Sequence, residues 1–398
     1  MTLDTSRRLQ AVDTLRGLVM IIMALDHTRD FFHVAAMLQQ PTDLTTTTPL
    51  LFFTRWITHL CAPVFVLLAG TSARLWLARP GRTEAQLSRF LWTRGLWLIV
   101  VEIVVMRVAF DLSFDPSFPV LLLTLFALGG SMIILAALIH LPMRVMAALS
   151  LATILLHNAF DGVRATELGA LSPLWTMLHQ PGAIVPAGVV IVVGYPLVPW
   201  FAVMAMGYCL GEWLQSPPEI WRPRLLRLGA AITVLFVVVR GVNVYGDPSA
   251  WSRQDSAAFT LLSFLNTTKY PPSLSFLLMT LGPALMLLSA FGGRTLRDAN
   301  PLVVFGRVPL FYFVGHFLLV HLLLVVATLA RYGSAAMPYL LHAPPSMGSP
   351  KELFPVGFGY SLGTTYAVWV LAVVLMYPLC RWFGQLRARN THWILSYL

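Results

Sequence analysis

Long apolar stretches follow one another along the chain, each near the ~20 residues that a membrane-spanning helix requires. They cover residues 11–33, 51–78, 88–109, 119–140, 143–160, 186–214, 224–244, 274–291, 302–330 and 362–384. This pattern predicts an all-α, polytopic membrane protein with ten spans, or eleven if Pro196 and Pro199 divide the sixth stretch. No polar region is long enough for a separate soluble domain, so we predict one domain over residues 1–398.

Composition agrees with a membrane protein, because 57% of the residues are hydrophobic and only 11% are charged. Soluble domains carry about 25% charged residues. The net charge of +10 comes mainly from arginines in short loops, most of them on the side of the N-terminus. That bias places both termini in the cytoplasm and explains the charge without a nucleic-acid partner. The cysteines, Cys61, Cys209 and Cys380, lie in apolar stretches without paired spacing, so we expect neither a disulfide framework nor a metal site.

The first span, "DTLRGLVMIIMALDHTRDFF" over residues 13–32, carries polar groups at both ends of an apolar centre. Arg16 and His27 are eleven residues apart, almost three helical turns, so both side chains point from one helix face about 16 Å apart. Asp13 and Asp30 each lie three residues from one of them and can pair with it. Ionisable groups inside a membrane are functional candidates by default.

Structural interpretations of the same two residues stay open. Arg16 can reach the headgroups or pair with Asp13, and His27 can bond a neighbour at the end of its helix.

Two further spans carry similar residues. Arg55 and His59 are four residues apart in the second span and share a helix face, with His59 at a depth similar to that of His27. Arg307 and His316 in the ninth span are nine residues apart and face opposite directions. His59 and His316 can be structural hydrogen-bonding groups, and Arg55 an anchor at the outer interface.

The loop "NTTKYPPSLSF", residues 266–276, combines a cation, an aromatic ring and two prolines. Lys269 and Tyr270 are candidates for binding a polar substrate that arrives from outside. The alternative is a loop stiffened by Pro271 and Pro272 before the next span.

Several segments are distinctive: "RLQAVDTLRGLVMIIMALDHTRDFF", "TRWITHLCAPVFVLLAGTSA", "YPLVPWFAVMAMGYCLG", "NTTKYPPSLSFLLMTLGPAL", "GRVPLFYFVGHFLLVHL" and "YPLCRWFGQLRARNTHWILSYL". They resemble the bacterial membrane family once classed as a domain of unknown function, DUF1624, which is grouped with the catalytic domain of heparan-α-glucosaminide N-acetyltransferase. The resemblance implies about ten helices around a central tunnel in the bacterial inner membrane. Acyl-CoA would enter from the cytoplasm and an acceptor from the other side.

A motif of arginine, ten residues and histidine marks the first helix of a related acyltransferase branch, and Arg16 and His27 match that spacing. The resemblance implies that Arg16 holds the CoA side and that His27 acts where the acyl group is transferred. The lysosomal enzyme carries its active histidine nearer the second helix. This chain has no histidine between His33 and His59, so we assign the role to His27 together with His59.

The resulting hypothesis is transfer of an acyl group, expected to be acetyl, from cytoplasmic acyl-CoA to a hydroxyl or amine. His27 is the expected base, since imidazole titrates near neutral pH, and Asp30 or Asp26 would orient it. Arg16 and Arg307 would attract the CoA phosphates.

Arg55, His59 or His316 would bind the oxyanion or position the acceptor. The acceptor is expected to be polar, with an envelope sugar as the guess by analogy. The oligomeric state is open, a homodimer included. The rival hypothesis is a proton-coupled transporter or flippase for an anionic or lipid-linked solute.

Overall fold

The computed structural model describes residues 2–390, 392 and 395, with side chains from Gln10 onward. Its α-helices in chain order are α1 (Thr2–Phe32), α2 (Pro49–Trp56), α3 (Cys61–Leu77), α4 (Glu84–Val100), α5 (Arg107–Phe110), α6 (Thr124–Leu138), α7 (Met143–Leu156), α8 (Ser172–Leu178), α9 (Trp200–Trp213), α10 (Pro218–Val242), α11 (Ala257–Leu265), α12 (Leu274–Phe291), α13 (Pro301–Arg307), α14 (Pro309–Tyr332) and α15 (Leu362–Arg389). A π-helical turn, Val101–Met106, joins α4 to α5, and a 3₁₀ turn, Ile57–Leu60, joins α2 to α3.

Local sequence explains where several helices begin. A Ser, Thr or Asn precedes the first turn and its side-chain oxygen accepts a backbone N–H from that turn, at Thr48, Thr83, Ser256, Ser273, Asn300 and Ser361. Such caps satisfy donors that a helix leaves unpaired at its start. At Thr83 the cap is reciprocal, because Gln86 also accepts the N–H of Thr83.

A small three-stranded sheet interrupts the helices. Its strands are β1 (Val120–Leu122), β2 (Gly182–Ile184) and β3 (Ile191–Val193), in the order β1-β3-β2. Strand β3 pairs in parallel with β1 and antiparallel with β2.

Helices long and apolar enough to cross a membrane confirm the helical membrane class. Six qualify among the described residues: Pro49–Leu77, Met143–Phe160, Pro218–Val242, Leu274–Phe291, Pro309–Ala336 and Leu362–Arg389. Each coincides with a stretch predicted from the sequence. The predicted count of ten or eleven spans goes beyond these six and stays a prediction.

The structure corrects two of the predicted spans. Residues 186–214 are an α-helix only over Trp200–Trp213, because the preceding residues form β3 and a turn around Pro196 and Pro199, which cannot donate backbone hydrogen bonds. The stretch 302–330 is divided at Val308 into α13 and α14, and Pro309 occupies the first position of α14.

Helix α1 lies at the centre of the fold, in contact with α3, α12, α13, α14 and α15. It approaches α13 closely because each helix places a glycine against the backbone of the other. A Cβ atom on Gly17 would lie 1.8 Å from the carbonyl oxygen of Leu302, and one on Gly306 would lie 1.9 Å from that of Asp13. Small residues allow such close helix packing in membranes.

Three other helix pairs use the same device, with one glycine on each partner. These glycines are Gly70 and Gly207 in α3–α9, Gly95 and Gly129 in α4–α6, and Gly229 and Gly282 in α10–α12. Close backbone contact at glycines therefore recurs in these three helix pairs as it does between α1 and α13.

We predict that Gly17→Ala and Gly306→Ala each lower the unfolding temperature in detergent, since a methyl group there overlaps a backbone carbonyl. Overpacking of this kind costs about 1–3 kcal/mol. Gly241→Ala is the matched control, because Gly241 lies in α10 with no atom within 4 Å of its Cβ position. An unchanged melting curve for Gly17→Ala would contradict the packing described here.

Candidate active site

Two adjoining cavities lie along α1. The first has a volume of about 940 Å³ and is called the arginine cavity, because Arg16, Arg79, Arg94, Arg307, Arg381 and Arg387 line it together with Asp13 and Asp298. The second has a volume of about 580 Å³ and is called the histidine cavity, and its polar lining includes Asp26, His27, Arg29, Asp30, Arg55, Glu102, Tyr195, Lys269 and Tyr270. Helix α1 contributes charged side chains to the lining of both cavities.

Phe65, Thr124 and Phe313 line both cavities, so the two spaces meet at these three side chains. Arg16 faces one space and His27 the other. Both side chains were expected to point from one face of α1 along one central tunnel. Both line a cavity beside α1, but the structure places them in two adjoining cavities instead of one common tunnel.

Arg16 is held in place by three neighbours. Its Nη1 donates to Asp13 Oδ1 and to the carbonyl oxygen of Gly306, each at 3.0 Å, and its Nη2 donates to Ser72 Oγ at 2.8 Å. The predicted pairing with Asp13 is thus present. Arg307 lies nearby on α13 and pairs with Asp298 at 2.7 Å, with its side chain 46% exposed.

His27 contacts a second imidazole. Nδ1 of His316 lies 2.8 Å from the carbonyl oxygen of Tyr312, which can only accept, so this nitrogen carries the proton in neutral His316. Nε2 of His316 is then unprotonated and lies 2.7 Å from Nδ1 of His27, which must donate. The chain of hydrogen bonds leaves Nε2 of neutral His27 unprotonated.

That Nε2 is the chemically useful atom, since it has no hydrogen-bond partner among the described residues and its ring lines the histidine cavity. Phe317 packs on the His27 ring with centroids 3.9 Å apart. His316 is fully buried and is not among the residues lining either cavity. It therefore supports His27 from behind instead of contacting a substrate.

The carboxylates near His27 are committed to arginines. Asp26 pairs with Arg29 at 2.8 Å and also with Arg55, which belongs to α2. Asp30 pairs with Arg29 as well. The expectation that Asp30 orients His27 is not met, because the ring nitrogen that an orienting group would hold is bonded to His316 instead.

His59 lies away from the cavity. It is buried, its ring packs against Phe276 with centroids 5.3 Å apart, and it does not line the space that contains Arg55. The cause is the 3₁₀ turn Ile57–Leu60, which has 3.0 residues per turn instead of 3.6 and changes the angular relation expected for a continuous α-helix.

The loop before α12 does reach the histidine cavity. Lys269 lies over the rings of Tyr195 and Tyr270, with its Nζ 5.8 Å and 5.1 Å from the two centroids. Tyr270 Oη lies 3.3 Å from both Arg55 Nη2 and Tyr195 Oη. The sequence had singled out Lys269 and Tyr270, and the structure brings them together with Arg55.

Of the charged and tyrosine side chains that line the histidine cavity, Arg29, Glu102 and Tyr195 were missed. Glu102 lies in the π-helical turn, and its Oε2 accepts the backbone N–H groups of Leu125 and Phe126. An acidic residue inside a predicted span is itself a signal that could have found it. Tyr195 could not be found in this way, because a tyrosine is not charged and the segment 186–214 was predicted to be one helix.

The arginine cavity also has members that the sequence placed in ordinary loops: Arg79, Arg94, Arg381 and Arg387. A run of arginines near span ends is expected of any inner loop, so charge alone does not identify a binding site. Among the described residues, no group of three or more His, Cys, Asp and Glu side chains could hold a metal ion.

The family model of the heparan-alpha-glucosaminide N-acetyltransferase catalytic domain matches residues 8–243. The match covers α1 to α10 and ends before Lys269, Arg307 and His316. No curated protein matches the chain. Because the match covers more than half of the chain, the resemblance to this family is confirmed, and the chain belongs to the heparan-α-glucosaminide N-acetyltransferase catalytic-domain family.

Proposed function

We propose that the protein is a membrane acyltransferase that moves an acyl group, with acetyl as the expected case, from acyl-CoA to a hydroxyl or amine. The observation that carries the proposal is the free Nε2 of His27, which faces a cavity while His316 holds the ring from behind. Membership of an N-acetyltransferase family supports the same reaction class.

In the proposed reaction the acceptor oxygen or nitrogen attacks the thioester carbonyl carbon, and Nε2 of His27 takes its proton. The carbonyl electrons move to oxygen and return as the carbon–sulfur bond breaks. The departing CoA thiolate then receives the proton from His27. Initial attack by Nε2 itself, through an acyl-histidine, would use the same atom and stays an alternative.

The donor would occupy the arginine cavity. Six arginines line it, and guanidinium groups bind phosphate oxygens through paired, charge-assisted hydrogen bonds. The pantetheine arm would then reach past Phe65 and Phe313 toward His27. Acyl-CoA is a cosubstrate in this scheme, and no metal takes part.

The proposed orientation places the arginine cavity and both termini on the cytoplasmic side of a bacterial inner membrane, with ten or eleven spans. The concentration of arginines in loops on the N-terminal side supports this orientation. The histidine cavity would then receive a polar acceptor, such as an envelope sugar, from the opposite side. Arg55 and Tyr270 line that approach.

We predict that His27→Ala lowers acetyl-CoA hydrolysis and acetyl transfer to glucosamine by 10²–10⁴-fold, the usual contribution of a general base. His316→Ala should cause a smaller loss, because it removes the group that fixes the His27 tautomer and leaves the base in place. Formation of free CoA thiol by each purified variant measures both the hydrolysis and the transfer reaction.

His140→Ala is the matched control for these variants, since His140 is exposed and lines neither cavity. The transporter hypothesis makes the opposite prediction. Under it, thioester cleavage is either absent or unaffected by His27→Ala. Either result would remove the proposed reaction.

We also predict that Arg16→Ala raises the KM for acetyl-CoA about tenfold or more, while S-acetylpantetheine, which lacks the nucleotide phosphates, is affected much less. The reason is that a phosphate-binding arginine loses its effect on a donor without those phosphates. Steady-state kinetics with the two donors provide the measurement.

Arg227→Ala is the control for charge, because Arg227 is exposed on α10 outside the cavity. Arg16 also contacts Asp13, Ser72 and Gly306. If its role were purely structural, Arg16→Ala would raise the KM for both donors equally, and that result would contradict phosphate binding.

A further inference from the structure

The most unusual charge in the histidine cavity belongs to Lys269. Its side chain is only 9% exposed, it lines the cavity, and its ammonium lies over two tyrosine rings. Among the described residues no carboxylate forms a salt bridge with it. A buried cation normally has an anionic partner, because removing a charge from water is costly.

The carboxylates of the cavity are all engaged elsewhere. Asp26 and Asp30 pair with Arg29 and Arg55. Glu102 accepts backbone N–H groups at the start of α6. Arg29 and Arg55 therefore take up both aspartates, and Lys269 is the lysine or arginine of the cavity lining that has no salt bridge among the described residues.

Asp247, in the segment between α10 and α11, contacts the residues on both sides of Lys269 and is also engaged. Asp247 accepts the N–H of Thr268 at 3.0 Å, the hydroxyl of Thr268 at 2.8 Å and the hydroxyl of Ser273 at 2.6 Å. It also lies 3.8 Å from Arg240. These bonds hold the residues on both sides of Lys269 and occupy both oxygens of the Asp247 carboxylate.

We propose that Lys269 binds an anionic substituent of the acceptor, such as the phosphate or carboxylate of an acidic amino sugar or sugar. Within the proposed function, this makes the acceptor an acidic saccharide whose charge lies beside Tyr195 and Tyr270 while its hydroxyl or amine faces His27. The rings contribute cation–π contacts to Lys269 and apolar surface against which a sugar face can pack.

The test is equilibrium binding of glucosamine and of glucosamine 6-phosphate to the purified full chain in phosphatidylcholine nanodiscs. Wild type should bind the phosphorylated sugar at least tenfold more tightly. Lys269→Gln should lose this preference, because it weakens binding of the phosphorylated sugar and does not weaken binding of glucosamine, and Lys269→Arg should retain most of it.

The chain has one other lysine, which supplies a matched control: Lys351 is exposed and outside the cavity, so Lys351→Gln should keep the preference. Equal unfolding temperatures for the three variants establish that they are folded. An undiminished preference in Lys269→Gln would overturn the proposal.

Two further binding measurements distinguish the molecules that could supply the anion bound by Lys269. If phosphatidylglycerol in the nanodisc abolishes the preference, Lys269 binds a lipid headgroup and the acceptor assignment is wrong. If CoA displaces the sugar competitively, the site belongs to the donor, which also contradicts it. Because binding is measured without turnover, failure of acetyl transfer would remove the proposed function and leave a Lys269-dependent preference standing.

Discussion

Asp26 connects two helices beside the histidine cavity, because this one buried carboxylate forms ion pairs with arginines from both. It pairs with Arg29 on its own helix and with Arg55 on α2. Removing one partner from a buried ion pair typically costs 3–5 kcal/mol, since the other charge is left uncompensated. The cluster therefore fixes α2 against α1 beside His27, and it leaves Lys269 without a salt bridge among the described residues.

The same helix also fixes the other cavity by a different kind of contact. Gly17 and Gly306 bring the backbones of α1 and α13 together, and Arg16 donates to the carbonyl oxygen of Gly306. Close packing therefore sets the position of the arginine, whereas ion pairs set the surroundings of the histidine. Helix α1 carries both groups, so neither cavity can shift along the membrane independently of the other.

Predictions from the sequence were most accurate for contacts between residues of the same helix. The spacing of Arg16 and His27 predicted that both point from one face of α1, and each lines a cavity beside that helix. The i, i+3 pairing of Asp13 with Arg16 is also present. The partner of His27 could not be predicted, because His316 is 289 residues away and only tertiary packing brings the rings together. His59 was misplaced since helical spacing does not hold through an unpredicted 3₁₀ turn.

The meeting point of the cavities has a consequence for the proposed chemistry. Phe65 and Phe313 are apolar, and with Thr124 they form the wall that both spaces share. In the proposed reaction, a thioester carbonyl placed there would lie against these two aromatic rings, which would displace water from beside it. Exclusion of water strengthens electrostatic interactions and suppresses hydrolysis of a reactive acyl group. Two cavities joined at an aromatic wall therefore suit transfer between substrates from opposite membrane faces better than one open, hydrated channel would.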